Sequence, residues 1–207
     1  FDIEITAGSC VATPEGSDCE TAVEIISFPF VDNNKSSCNN KDFLTDGSMC
    51  HAGYPSEYGN GTGKEYVYKY SPSQDECVNL KFNTNGIGAK LVVYDNCPSI
   101  SWGSCFRNFA TDTVIDHIVH LQAGNDYYFV LSSDKDYSEC LDFNFSAELI
   151  GDEGSTCANA YPVPTIPYTA SQYTTFCKGD DYRQNAGTCP SFAFRGDDVL
   201  FEYTATA

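Results

Sequence analysis

The chain repeats itself over about 138 residues, and this repeat limits its possible folds more than any other feature. The segment Gly16-Ser-Asp-Cys-Glu-Thr-Ala22 returns as Gly154-Ser-Thr-Cys-Ala-Asn-Ala160. A solenoid unit is about 20–50 residues long, so a repeat of this length indicates whole domains in tandem. The landmarks that follow in the same order are Pro29 and Pro167, Cys38 and Cys177, Cys50 and Cys189, and Gly63–Tyr70 and Gly196–Tyr203.

The repeat divides the 207 residues into one complete unit between two incomplete ones. We predict a closing strand of a preceding unit plus a linker in residues 1–18, a complete unit in 19–149, a linker in 150–156 and the first half of a further unit in 157–207. Half a β-domain leaves a strand edge unpaired. We therefore expect either continuing chain or a neighbouring copy, by strand addition, to complete it.

The opening sequence fits this division. Phe1-Asp-Ile-Glu-Ile5 resembles Phe143-Asn-Phe-Ser-Ala147, which closes the complete unit. Both segments alternate apolar and polar residues, as half-buried strands do. The expected partners are therefore other copies of the chain or further repeats of the same chain.

The charge balance excludes one class of partner. With 29 acidic residues against 11 lysines and arginines, the net charge is -18. Binding to nucleic acid requires clustered lysine and arginine that displace counterions from phosphates, so we expect no nucleic-acid partner. No apolar run approaches the length of about 18 residues that a membrane span needs, and we expect no such span.

Cysteine usage indicates an oxidising compartment. The chain holds 11 cysteines, and none of them has the Cys-x-x-Cys spacing of a zinc site. Dense cysteines in this pattern predict a disulfide framework in an extracellular or cell-surface protein. Three sequons for N-glycosylation fit the same compartment, and they begin at Asn34, Asn60 and Asn144.

Spacing alone leaves the disulfide connectivity open. We predict a local bridge between Cys97 and Cys105, which bracket a loop rich in Pro, Ser and Gly. A twelve-residue cysteine spacing that recurs in both units predicts two more local bridges. A further pair is assigned because each of its cysteines immediately precedes a strand, and the last pair is expected to join Cys10 to Cys19. These four pairs are Cys38–Cys50, Cys177–Cys189, Cys77–Cys140 and Cys10–Cys19.

Apolar and polar residues alternate with period two through most of the chain, and no stretch longer than one turn has helical periodicity. Gly, Asn and Pro turns separate the short runs. The pattern predicts an all-β fold of tandem antiparallel β-sandwich domains of jelly-roll type, stapled by disulfides. We expect Leu80, Phe82, Phe143, Phe145 and Leu149 to line the core. The predicted strands span 22–30, 65–70, 78–83, 89–94, 113–121, 127–132, 141–149 and 199–204.

Several segments carry a resemblance to a known family. They are Val78–Phe82, then Leu91–Pro98 with its Tyr-Asp-Asn-Cys loop, then Leu121–Leu131 with its Leu-Gln-Ala-Gly-Asn-Asp-Tyr-Tyr run, and the strand Asp142–Ala147. Together they resemble tandem bacterial pre-peptidase C-terminal (PPC-like) domains of a secreted surface protein. The resemblance implies a jelly-roll sandwich that serves as a non-catalytic module on secreted enzymes and in multi-repeat surface proteins. This chain differs from the modules on secreted enzymes, because here one copy of the module is followed by another.

Four acidic residues of the second unit form the candidate metal site. Calcium prefers several carboxylate and carbonyl oxygens, which Asp180, Asp181, Asp197 and Asp198 would supply. The first unit has a lysine and a glutamate where the second has Asp197 and Asp198, so such a site would belong to one unit only. The alternative interpretation is a solvated acidic surface. No other cofactor is expected.

The sequence offers no catalytic constellation. Neither Gly-x-Ser-x-Gly nor His-Glu-x-x-His occurs. His117 and His120 stand three apart on a predicted strand, so they are expected to face opposite sides of the sheet. Trp102 is the candidate for stacking on a sugar, because it lies in the loop between Cys97 and Cys105.

Two functions are consistent with these features. The leading hypothesis is a non-enzymatic extracellular structural protein, whose repeats form a surface fibre, filament or stalk. The alternative is an adhesin or carbohydrate-binding module of a larger secreted protein, with glycans as partners and Trp102 as a contact.

Overall fold

The computed structural model describes residues 12–44, 63–84, 88–98, 105–111, 114–133, 140–169, 171, 173–179 and 196–205. Within these ranges the fold consists of β-strands and one short 3-10 helix, Cys157–Asn159. This part of the chain contains no helix that is long and apolar enough to cross a membrane. The predicted all-β sandwich is confirmed.

Nine described strands lie in the first unit and two in the second. They are β1 (Val23–Glu24), β2 (Phe30–Ser36), β3 (Tyr66–Tyr70), β4 (Glu76–Asn83), β5 (Ala89–Tyr94), β6 (Cys105–Thr111), β7 (Val114–Leu121), β8 (Tyr127–Ser133), β9 (Asp142–Leu149), β10 (Tyr161–Pro162) and β11 (Phe201–Glu202).

The first nine strands form two sheets that pack face to face. One sheet has the order β1-β3-β8-β5-β6, and the other has the order β2-β9-β4-β7. The paired strands are antiparallel, except that β1 runs parallel to β3. The chain crosses between the sheets at almost every connection, which is the connectivity of jelly-roll sandwiches.

Aromatic residues from the two inner faces fill the core. Phe145 of β9 stacks on Tyr68 of β3 with 4.4 Å between ring centroids, and Phe143 meets Tyr66 at 5.2 Å. The predicted core positions Leu80, Phe82, Phe143 and Phe145 are all buried. Leu149 is 47% exposed, so its prediction as a core residue is wrong. It lies at the end of β9, where the strand reaches the edge of the sandwich.

The larger sheet is also covered on its outer face. The described start of the connection between β2 and β3 lies over it, where Leu44 packs with Val67, Val92, Tyr94 and Val130. Strands β5 and β8 are consequently buried on both faces. This explains why their sequences are continuously apolar instead of alternating.

The predicted first strand, 22–30, is two strands in different sheets. β1 ends at Glu24, and the chain then crosses through Pro29 into β2. Proline has no N–H to donate to a strand ladder, so it is suited to the crossing point. β6 was not predicted from the sequence, because Arg107 and Asn108 interrupt its alternation of apolar and polar residues.

The disulfides join positions that are distant in the sequence. Cys19 bonds to Cys97 at a sequence separation of 78. Cys38 bonds to Cys140 over 102 residues, because antiparallel pairing of β2 with β9 brings the end of one beside the start of the other. The third bond joins Cys77 to Cys177 over 100 residues.

All five predicted pairings include at least one of these six cysteines with a different partner, and all five are therefore wrong. Local spacing failed because the sheet topology decides which cysteines come within bonding distance. Cys105 is also disulfide-bonded. Cys10, Cys50 and Cys189 lie outside the described residues.

The second unit reproduces the backbone geometry of the first. Gly16 and Gly154 both have positive φ, 71° and 78°, a conformation that glycine adopts without strain. The carbonyl of Gly16 accepts a hydrogen bond from the N–H of Val67 at 2.9 Å, and that of Gly154 accepts one from the N–H of Leu200 at 2.8 Å. The same hydrogen bond therefore occurs twice along the repeat.

The paired strands recur as well. β1 pairs in parallel with β3 through Val23 and Tyr68, and β10 pairs in parallel with β11 through Tyr161 and Phe201. Both pairs join positions that the sequence repeat aligns. The two described strands of the second unit therefore pair as their counterparts in the first unit do.

Candidate functional site: the junction of the two units

The first two residues of the linker between the units are hydrogen-bonded, one to each unit. The N–H of Ile150, which follows β9, donates to the carbonyl of Cys77 at 2.8 Å. The Nζ of Lys178, a side chain that is only 5% exposed, donates to the carbonyl of Gly151 at 2.6 Å. The Cys77–Cys177 disulfide then joins the start of β4 to the second unit, with its Cα atoms 6.1 Å apart.

A cleft of about 920 Å³ opens beside this disulfide. We call it the junction cleft. Strands β4, β6, β7 and β9 and the second unit all contribute to its walls. The lining residues are Gln74, Asp75, Glu76, Cys77, Arg107, His120, Gln122, Leu149, Ile150, Gly151, Asp152, Phe176, Cys177, Gly179 and Asp197.

Four carboxylates line the junction cleft, and each accepts a hydrogen bond from a neighbouring group. Asp75 accepts from the N–H of Ala123 at 2.9 Å, and Glu76 accepts from the hydroxyl of Tyr70. The other two carboxylates bind groups of the second unit: Asp152 accepts from the Nδ2 of Asn159 at 2.8 Å, and Asp197 accepts from the N–H of Cys177 at 2.7 Å.

These contacts make the four carboxylates part of the framework of the junction. Among the described residues, no three His, Cys, Asp or Glu side chains converge closely enough to hold a metal ion. The cleft also contains Arg107, His120 and the ring of Phe176, which is 42% exposed. The arrangement is suited to contact with a ligand through an aromatic ring and polar groups.

The predicted calcium site stays a prediction. Asp180 and Asp181 lie outside the described residues. Asp197 lines the junction cleft, and the N–H of Asp198 donates to the carbonyl of Gly179 at 2.8 Å.

Two of the three predicted glycosylation sites lie side by side. Asn34 has φ 57° at the irregular step in the pairing of β2 with β9, and its N–H donates to the Oδ1 of Asn144 at 2.9 Å. This bond uses the oxygen of the Asn144 amide, whereas glycosylation would use its nitrogen. Asn60 and the candidate ligand contact Trp102 lie outside the described residues.

The two strand histidines face opposite sides, as predicted. His117 stacks on Phe109 of β6, with 4.3 Å between ring centroids. His120 lines the junction cleft. Since they lie on different faces of β7, they do not share a site.

The second unit presents a partly exposed aromatic cluster. We define the aromatic face as Tyr161, Tyr168, Tyr173 and Phe201. The last three of these rings are 36%, 43% and 42% exposed. In the first unit, Tyr68 occupies the position of Phe201 and is fully buried.

A buried carboxyl group, Glu65, was not singled out from the sequence. Its Oε2 accepts hydrogen bonds from the N–H groups of Phe43 and Leu44 at 2.6 and 3.4 Å, and its Oε1 accepts from the hydroxyl of Ser132 at 3.1 Å. It thereby ties the covering connection to the larger sheet. Burial, opposed by the two backbone hydrogen bonds and reinforced by Asp42, raises the pKa of Glu65 to about 8. The only sequence signal was its place directly before the apolar strand β3.

Glu65 is expected to make folding stability depend on pH. The pKa of the folded state is raised above the unfolded value of 4.5, so the folded state binds more protons between pH about 4.5 and about 8. The free energy of unfolding should therefore fall as pH rises through this window, by up to about 1.4 kcal/mol per pH unit. Chemical denaturation at a series of pH values measures this slope.

The substitution Glu65→Gln should remove the contribution of Glu65 to the slope of the free energy of unfolding against pH. The matched control is Glu148→Gln, because Lys81 lowers the pKa of this exposed carboxyl and it stays ionised throughout the upper part of the window. An unchanged slope in Glu65→Gln between about pH 5.5 and 7.5 would contradict the role given to Glu65.

Comparisons with known proteins give a likeness of fold. No protein-family model and no curated protein matches the sequence. Among solved structures, the pre-peptidase C-terminal domain of a collagenase from Bacillus anthracis has 14% identity and a TM-score of 0.36, covering 67% of this chain and 100% of that chain.

Carbohydrate-binding modules are also among the similar structures. A family 35 carbohydrate binding module from an environmental isolate has 16% identity and a TM-score of 0.32, covering 59% of this chain and 93% of that chain. The CBM35 from Cellvibrio japonicus Abf62 has 15% identity and a TM-score of 0.27, covering 54% and 89%. At these identities the likeness concerns the β-sandwich and not the ligand.

Proposed function

We propose that this chain is part of a non-enzymatic extracellular structural protein, in which successive β-sandwich units are locked to each other and build a surface fibre or stalk. The observation that carries the proposal is the Cys77–Cys177 disulfide, which joins the complete sandwich to the next unit. Disulfides of this kind are typical of proteins that fold in an oxidising compartment.

The short linker supports the same proposal. Residues 150–156 leave little freedom between the units, and the bonds from Ile150 to Cys77 and from Lys178 to Gly151 tie the start of this linker to both units. A linker fixed in this way transmits force and orientation, whereas a flexible linker of similar length would let the units rotate. A stiff array is what a fibre or stalk requires.

Removing the disulfide at the junction should loosen the second unit without unfolding the sandwich. In a Cys77→Ser plus Cys177→Ser variant, we expect limited proteolysis to cut within residues 150–179 at least ten times faster than in the parent chain. The reason is that the covalent lock no longer opposes local opening. Peptide mapping of the digest locates and times the cuts.

The matched control is Cys157→Ser, which changes an exposed cysteine of the same region. Its cleavage rate should equal that of the parent chain. Equal cleavage of the parent and the double variant would contradict the proposal that the disulfide locks the units together.

A second candidate function is glycan binding in the junction cleft, as in an adhesin or carbohydrate-binding module. The observation that favours it is the exposed ring of Phe176 beside Arg107, His120 and Gln122. Aromatic rings with nearby polar groups are suited to stacking on and hydrogen bonding to sugars. A glycan array probed with the parent chain, Phe176→Ala and Trp102→Ala tests it, and no binding by the parent chain would remove this candidate.

A further inference from the structure

Strand β2 lies at one end of the smaller sheet. In the order β2-β9-β4-β7, the described strand that pairs with it is β9, on one side. Val31, in the first half of the strand, is 61% exposed. An edge strand that presents an exposed apolar residue can pair with a strand of another molecule, and natural proteins protect such edges.

The backbone of β2 supplies part of this protection. The pairing with β9 shifts between Asp32 and Lys35, so the strand has an irregular step there. Steps of this kind bend an edge strand and interrupt its pairing. The first half of β2 precedes the step, and Phe30, Val31 and Asp32 pair with β9 in regular succession. This half of the edge needs another form of protection.

Asn34 lies within the step and is held there by Asn144 of β9. Its φ of 57° is a left-handed conformation that asparagine adopts more readily than most residues. Its N–H donates to the Oδ1 of Asn144 at 2.9 Å. The side chain of Asn34 is exposed, and its amide group has no hydrogen-bond partner among the described residues. The nitrogen that a glycan would use is therefore available.

The sequon Asn34-Lys-Ser36 coincides with this edge. The strands at the ends of the two sheets are β1, β6, β2 and β7, and of these four β2 contains a sequon. An N-linked glycan is bulky and increases solubility. Attached to Asn34, it would stand three residues from Val31, on the order of 10 Å along a strand.

We propose that an N-linked glycan on Asn34 covers the free edge of β2 and keeps copies of this chain from pairing through that edge. A second strand would have to approach β2 to about 5 Å, the spacing of paired strands. A bulky group anchored on the edge itself blocks that approach. Such protection does not depend on the proposed structural function, because it concerns the first sandwich alone.

Substitutions at Ser36 test the proposal. Ser36→Ala destroys the sequon, whereas the matched control Ser36→Thr keeps the sequon and a hydroxyl for the N–H of Cys38. Both variants and the parent chain are produced in a secretory host that attaches N-glycans. Mass spectrometry of peptides that contain Asn34 measures its occupancy. Sedimentation velocity over a concentration series measures self-association.

The parent chain and Ser36→Thr should carry a glycan on Asn34, and Ser36→Ala should not. The apparent dissociation constant for self-association should be lower in Ser36→Ala than in Ser36→Thr by about tenfold or more. Adding Val31→Lys to Ser36→Ala should reverse this change, because a lysine on an edge strand opposes pairing. Trimming the glycans of the parent chain with an endoglycosidase, which alters no residue, should act as Ser36→Ala does.

Three results would overturn the proposal: an unoccupied Asn34 in the parent chain, equal self-association of Ser36→Ala and Ser36→Thr, or association that Val31→Lys leaves unchanged. Each of them concerns the edge of β2 and would leave the Cys77–Cys177 lock as it stands. Failure of that lock is detected separately, by proteolysis at the junction.

Discussion

Replacing Phe145 by alanine is expected to lower the free energy of unfolding of the sandwich by about 3–5 kcal/mol. Phe145 is 1% exposed and lies between the sheets, stacked on Tyr68 at 4.4 Å and within 6.3 Å of the rings of Phe30 and Phe129. Truncation removes the burial of the ring and leaves a cavity that the surrounding strands fill only in part. Denaturant unfolding followed by circular dichroism measures the loss.

The matched control is Phe201→Ala in the second unit. Phe201 corresponds to Tyr68 along the repeat, but it is 42% exposed, whereas Tyr68 is buried. Its truncation should change the unfolding of the sandwich by less than about 0.5 kcal/mol. A loss below about 1 kcal/mol in Phe145→Ala would contradict the packing assigned to β9.

Removing the Cys38–Cys140 disulfide is expected to destabilise the sandwich by about 3–5 kcal/mol. This bond closes a loop of about 100 residues, for which the chain-entropy model gives close to the largest effect of a single crosslink. It joins strands that also hydrogen-bond beside it, since Ser37 and Leu141 bond through their backbones at 2.9 Å. The measurement is chemical denaturation of a Cys38→Ser plus Cys140→Ser variant.

The Cys77–Cys177 bond provides the comparison, because its separation of 100 residues is nearly the same. It connects the sandwich to the second unit instead of closing the sandwich itself. Its removal should leave the main unfolding transition nearly unchanged and affect proteolysis at the junction. Equal destabilisation by both pairs of substitutions would contradict this division of roles.

Much of the architecture was predictable from local pattern. Alternation with period two predicts strands, and the apolar positions of β4 and β9 predict the buried rings of Phe82, Phe143 and Phe145. These inferences hold because the side chains of a strand alternate between two faces. Leu149 continues the same alternation but is exposed, because alternation does not reveal where a strand leaves the sandwich.

The disulfides were not predictable from spacing. Cys38 meets Cys140 only because β2 pairs with β9, which are more than 100 residues apart along the chain. The buried carboxyl of Glu65 was not predicted from the sequence for a similar reason. Its partners Phe43 and Ser132 lie on elements that come together only in the folded sheet.

The junction cleft was also not predictable from the sequence. Its walls combine His120, Leu149 and Phe176 from three separate elements. The boundaries of the units at residues 18, 149 and 156 stay predictions from the repeat. The hydrogen bond to the carbonyl of Gly16 recurs at Gly154, in line with the repeat in the sequence.

Electron microscopy of the native material, with mass spectrometry of the dissociated chain, tests the central claim most directly. The account predicts uniform filaments or stalks with an axial repeat of one domain. The chain mass would then separate a long covalent array from short chains joined by strand addition. Dispersed particles in which these units stand singly beside other domains would contradict the structural function and leave the junction cleft as the site to pursue.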